Sequence, residues 1–88
     1  MKTEELIQLI GCCSSEILPV LVGHNFKPTD QLCELGANSV DRAEIIVLLM
    51  ERLSLRIPKS ELHGPKNIGE LANLLQEKIA PSVTQENI

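Results

Sequence analysis

Leu35-Gly36-Ala37-Asn38-Ser39-Val40-Asp41-Arg42-Ala43-Glu44-Ile45-Ile46-Val47-Leu48-Leu49-Met50-Glu51-Arg52-Leu53 reads as a turn opening into a helix, and its part from Val40 to Leu53 is the most apolar segment of the chain. Ser39 fits the capping position, where a side-chain oxygen accepts from a free amide of the first turn. Asp41 and Glu44 put negative charge at the positive end of the helix dipole, each worth about 0.3–1 kcal/mol, and Arg52 suits the opposite pole. Val40, Ala43, Ile46, Val47, Met50 and Leu53 recur at helical spacing and form one stripe. Ile45, Leu48 and Leu49 spread beyond one face, so some of this helix is expected to be exposed or to meet a partner.

Upstream, residues 22–38 keep no helical period. Gly23, Asn25, Pro28, Thr29, Asp30 and Gly36 supply turn formers throughout, which predicts a long loop tied to the core by Phe26, Leu32 and Leu35. Before it, Thr3 with Glu4 and Glu5 predicts a capped helix start. Leu6, Ile10, Cys13 and Ile17 form its stripe, widened by Ile7, Leu18 and Leu21. Pro19 predicts an end or a distorted last turn there.

Downstream, Pro58 stops the apolar helix, and Ser60-Glu61-Leu62 leaves room for one short turn. Asn67 and Glu70 form a capping-box-like start for a last helix carrying Ile68, Leu71, Ala72, Leu75 and Ile79. Pro81 is expected to end it. Residues 1–80 therefore read as the domain and 81–88 as a flexible C-terminal tail. Three longer helices and one short one, sharing one core, make an all-α four-helix bundle with a long first loop.

The 88 residues suffice for one domain, and a core this small is a poor host for a deep catalytic cleft. Eight Lys and Arg against 12 Asp and Glu give a net charge of −4, which repels phosphate backbones, and Phe26 is the sole aromatic, too few for base stacking. Nucleic acid is not an expected partner, whereas basic protein surfaces are. No apolar run is long enough to span a membrane. Cys12, Cys13 and Cys33 show no Cys-x-x-Cys spacing and follow no secretory leader, so a reduced, cytoplasmic protein is expected, its thiols packing as small half-buried hydrophobes. Adding His24 and His63 gives no zinc-ligand spacing, and no metal is expected.

For catalysis, the surroundings of Ser39 lack the second glycine of a nucleophile elbow, and neither histidine sits in a partner motif, so a hydrolase is not expected. The glycines are dispersed and form no phosphate loop. What remains is chemistry done to Ser39 by another enzyme, set against plain helix capping, which spacing alone favours.

Leu35, Gly36, Ser39, Asp41, Glu44 and Ile45 resemble the attachment motif of acyl carrier proteins. There a leucine-glycine pair precedes an acidic residue, serine, an aliphatic residue and aspartate, with glutamate-aliphatic three residues on. The resemblance extends from the first helix through the long loop to Ile57-Pro58 and Ile68-Gly69-Glu70-Leu71. It implies a monomeric, non-catalytic carrier whose Ser39 receives 4'-phosphopantetheine from coenzyme A through a phosphopantetheinyl transferase, the arm's thiol then holding acyl groups. It also implies that Asn38, Val40, Asp41, Arg42, Glu44, Ile45 and Glu51 form the partner-facing surface. Asn38 departs from the family's usual aspartate, Val40 from its usual leucine, and Arg42 places a cation in the first turn.

The fuller run from Gly36 to Ile45, with Phe26-Lys27-Pro28-Thr29-Asp30, is most similar to the freestanding donor carriers of polyketide β-branching cassettes. That likeness implies four partners: the transferase, an acyltransferase, a decarboxylating ketosynthase-like enzyme that turns malonyl into acetyl, and a hydroxymethylglutaryl-synthase-like acceptor of the acetyl group. A primary fatty-acid or other discrete carrier is the nearest alternative. An unmodified helical protein-binding adaptor is the alternative outside the class.

Overall fold

The computed structural model describes the backbone of residues 2–86 and side chains as far as Ile79. Three α-helices, α1 (Thr3–Ile17), α2 (Ser39–Leu53) and α3 (Ile68–Glu86), are joined by short 3-10 helices at Pro19–Leu21 and Lys59–Leu62. α1 is the hub, packing on both α2 and α3, while the Lys59–Leu62 helix touches α2 and α3. The expected all-α bundle of three longer helices and a short one is thus observed, with a further 3-10 turn at Pro19–Leu21.

The core is aliphatic because the stripes are. Leu6, Ile10 and Cys13 of α1 meet Ile45, Ile46 and Leu49 of α2, Leu62, and Ile68, Leu71, Ala72 and Leu75 of α3. Each fully buried Leu or Ile contributes about 1.5–3 kcal/mol against exposure. Ser14 is also buried, and its hydroxyl donates to the Ile10 carbonyl at 2.7 Å, so no polar group is stranded there. Burial pushes the Cys13 thiol up from its ordinary value, against the opposing pull of Arg52. Cys12 and Cys33 are exposed, contrary to the expectation that all three thiols pack as half-buried hydrophobes.

The helix ends show where local chemistry decides. Thr3 is the first helical residue of α1 and not its cap, because Lys2 takes the cap position and Glu5 accepts from the Lys2 amide at 3.0 Å. Pro19 both ends α1 and opens a 3-10 turn. Asn67 caps α3 as expected, its Oδ1 accepting from the Glu70 amide at 2.8 Å, while Glu70 accepts from the Lys66 amide. α3 does not stop at Pro81 but runs on to Glu86, because a proline removes one amide from the ladder and crowds the carbonyl four residues back, which can kink a helix without ending it. Asn87 and Ile88 of the expected tail lie outside the described residues.

The long loop is held at both ends. Phe26, Leu32 and Leu35 pack against the core, as expected of anchors. Phe26 sits so close to Gly11 that a Cβ there would lie 2.6 Å from the ring, which explains the glycine in mid-helix. The loop backbone also completes α3, because the carbonyls of Asp30 and Pro28 accept from the amides of Ile68 (2.9 Å) and Gly69 (2.8 Å), two donors a helix start leaves free.

Candidate functional site

The start of α2 is set by a turn and a cap. Gly36 adopts φ 105°, a left-handed conformation that a side chain disfavours, and Ala37 then donates to the Leu32 carbonyl at 3.0 Å and is buried. Asn38 follows in an extended conformation and caps the helix. Its Oδ1 accepts from the Asp41 amide at 2.8 Å, and Asp41 Oδ2 accepts from the Asn38 amide at 3.2 Å. This reciprocal box corrects the assignment of the cap to Ser39: an amide oxygen satisfies the first turn, so the serine hydroxyl is not needed there. Ser39 becomes the first helical residue, exposed, with Arg42 Nη2 at 3.5 Å from its Oγ.

Two depressions flank that hydroxyl. One is an open groove of about 540 Å³ along α2, floored by Val40, Ala43, Val47 and Leu48 and edged by Glu44, Glu51 and Lys59. The other, about 210 Å³, lies between α2 and the start of α3, where Arg42, His63 and Lys66 surround an apolar floor that includes Ile46 and Leu71. One serine thus stands between an apolar, acid-edged face and a basic one.

Packing decides which apolar face of α2 turns inward, and Val40 is exposed as expected of a partner contact. The core takes Ile45, Ile46 and Leu49, while Val40 is 65% exposed and Ala43 and Val47 are half-buried in the groove wall. Of the stripe from Val40 to Leu53 only Ile46 is buried; Met50 and Leu53 are partly so. Both stripes are apolar at helical spacing, and the one that meets α1 wins the core. Ile45, expected among partner contacts, has 0% exposure and cannot reach a partner. Asn38, Val40, Arg42, Glu44 and Glu51 are exposed and Asp41 half-buried, grouped around Ser39 and along the groove. Ile17, Lys59, His63 and Lys66 join the two depressions from other elements, and nothing in their local sequence marks them.

The residues fit a phosphopantetheine ester on this serine. The oxygen is exposed and released from capping, a guanidinium stands beside it, and open surface lies on both sides. Among the described residues no group of three or more His, Cys, Asp or Glu is placed to hold a metal, and no helix is long and apolar enough to cross a membrane.

Further from the serine, the loop carries one charged contact. Asp30 Oδ2 accepts from the Lys27 amide at 2.9 Å and lies 3.0 Å from His24 Nε2, whose ring meets Phe26 edge-on at 4.7 Å. The Lys27 amide, and after it the His24 contact, hold the Asp30 carboxyl below the usual carboxylate range.

Residues 8–75 match the family model described as phosphopantetheine attachment site. The chain is 53% identical over 79 residues to polyketide biosynthesis acyl-carrier-protein AcpK of Bacillus subtilis (strain 168), covering 90% of this chain and 96% of that one. It is 28% identical over 78 residues to an acyl carrier protein of Prochlorococcus marinus (strain MIT 9515), covering 89% and 98%. Among solved structures it superposes, with a TM-score of 0.85 and 50% identity, on a chain in the crystal structure of the curacin biosynthetic pathway HMG synthase in complex with acetyl donor-ACP. That match covers 89% of this chain and 100% of the other.

Proposed function

Because the chain belongs to the phosphopantetheine attachment site family and is an acyl carrier protein, we propose that Ser39 bears the arm and that the loaded protein is the acetyl donor of polyketide β-branching. The arm supplies the thiol that holds the acyl group. The observation that carries the reading is the exposed Ser39 hydroxyl, left free by the Asn38–Asp41 box at the head of an exposed apolar groove. Kinship with a polyketide carrier, and with a chain crystallised with an HMG synthase as acetyl donor-ACP, supports the donor role.

The chain's own residues provide recognition. Val40, Ala43 and Val47 offer an apolar seat, and Glu44 and Glu51 flank it with carboxylates that attract basic partners over long range. That surface suits an HMG-synthase-like enzyme and, in turn, a phosphopantetheinyl transferase, an acyltransferase and a decarboxylating ketosynthase-like enzyme. The protein acts as a monomeric, cytoplasmic carrier and not as a catalyst, with residues 1–80 as the functional domain.

The test loads acetyl onto the holo-protein and offers it to an HMG-synthase-like enzyme, beside an acetyl-loaded primary fatty-acid carrier. Transfer from this chain is expected to be faster by roughly tenfold or more, equivalent to about 1.4 kcal/mol. Equal transfer from both would favour a general carrier and contradict the donor role.

A further inference from the structure

Arg42 is a cation beside the serine that has no ion-pair partner among the described residues. Arg52 pairs with Glu16, and Lys78 with Glu61 at 2.6 Å, but among the described residues no carboxylate pairs with Arg42. The neighbouring Asp41 carboxylate is turned back onto the Asn38 amide. Arg42 also stands in the first turn of a helix, where the dipole disfavours a cation. Its contact is instead the Ser39 hydroxyl, one turn back on the same face, with Nη2 at 3.5 Å from Oγ.

From this placement we propose that Arg42 is the counter-ion of the arm's phosphodiester. Its guanidinium pairs with the phosphate esterified to Ser39 and turns the arm toward the basic depression between α2 and the start of α3. The proposal rests on Ser39 being the attachment residue. The phosphorus would be bonded directly to the oxygen that Arg42 already touches, which brings the phosphate's free oxygens within reach of the guanidinium fork. A planar fork matches phosphate in a two-point contact that an ammonium cannot reproduce.

The surroundings agree on direction. On one side of Ser39 the groove is edged by Glu44 and Glu51, with Lys59 as its cation. On the other, Arg42, His63 and Lys66 line one depression that no acidic side chain lines. A singly charged anion fixed at Ser39 is drawn to the second side. The apolar groove is thereby left clear for a partner, and the arm leaves the surface from a preferred direction. Arg42 is in this sense a positioning residue, acting before any partner is bound.

The experiment uses free holo-protein, with attachment of one phosphopantetheine first checked by intact mass, and compares wild type with Arg42→Ala, Arg42→Lys and Lys66→Ala by phosphorus NMR. In Arg42→Ala the phosphorus resonance is expected to move and its transverse relaxation to slow as the phosphate is released. Arg42→Lys should fall between, and Lys66→Ala should shift the line less than Arg42→Ala. At about 1 M salt, where charges are screened beyond about 3 Å, the wild-type resonance should approach that of Arg42→Ala. Equal melting temperatures of the apo forms would separate this role from a merely structural one. Identical phosphorus position and relaxation in wild type and Arg42→Ala at low salt would overturn the proposal. A wild-type mass without the added arm would overturn the attachment reading itself, and is seen before any spectrum is recorded.

Discussion

Replacing Asn38 by alanine tests the feature that frees the serine. Asn38 Oδ1 takes the Asp41 amide at 2.8 Å, so the substitution removes the acceptor and orphans that donor. Loss of an N-cap side chain costs about 0.5–2 kcal/mol, centred near 1. For 88 residues the unfolding entropy at the midpoint is about 0.18 kcal/mol/K, so 1 kcal/mol lowers Tm by about 5 °C. Ser39→Ala, by contrast, removes a hydroxyl with no capping role and should change the Tm of the apo-protein by less than about 2 °C, a surface-scale effect. Asn38→Asp keeps the acceptor and adds a charge the helix start favours, so it should hold or raise Tm. Thermal melting of the three apo variants by circular dichroism reads all of this. If Ser39→Ala were the damaging change and Asn38→Ala the silent one, the serine would be the cap and the reasoning would fail.

The two faces of α2 should separate sharply in denaturant titrations: Ile45→Ala is expected to cost about 2–5 kcal/mol, whereas Val40→Ala, on an exposed face, should stay within about 0.5 kcal/mol. Asp30 has its carboxyl held lower in the folded state than in the unfolded chain. Its contribution is therefore complete above the unfolded carboxylate range and is lost as pH falls through the folded value. Asp30→Asn should flatten that acid limb of a stability–pH curve, and an unchanged limb would show the loop contact to be idle. Ending the chain after Ala80 should leave Tm nearly unchanged, because the buried core described ends at Leu75; a large drop would place residues 81–88 within the folding unit.

The helices and their order were legible because apolar residues recur at spacings of three and four, and because Asn67 with Glu70 marks a start by its chemistry. The loop anchors Phe26, Leu32 and Leu35 were legible as isolated apolar residues among turn formers. The inward face of α2 was not. Val40, Ala43 and Val47 have the same periodicity as Ile45 and Leu49, and only contact with α1 distinguishes them. The cap was ambiguous for a similar reason, since Asn38 and Ser39 are adjacent and both residue types cap well. Pro81 reads as a stop, yet a proline can kink a helix without ending it. Spacing alone favoured capping for Ser39, and it was the likeness of the surrounding motif that pointed to modification. The basic flank has no local signature at all, because Arg42, His63 and Lys66 come together only when the chain folds.

Incubating the protein with coenzyme A and a broad-specificity phosphopantetheinyl transferase, followed by intact mass and peptide mapping, tests the central claim most directly. One phosphopantetheine is expected on the peptide that contains Ser39, with none added to Ser39→Ala. An unchanged wild-type mass, or an addition that survives Ser39→Ala, would contradict the account.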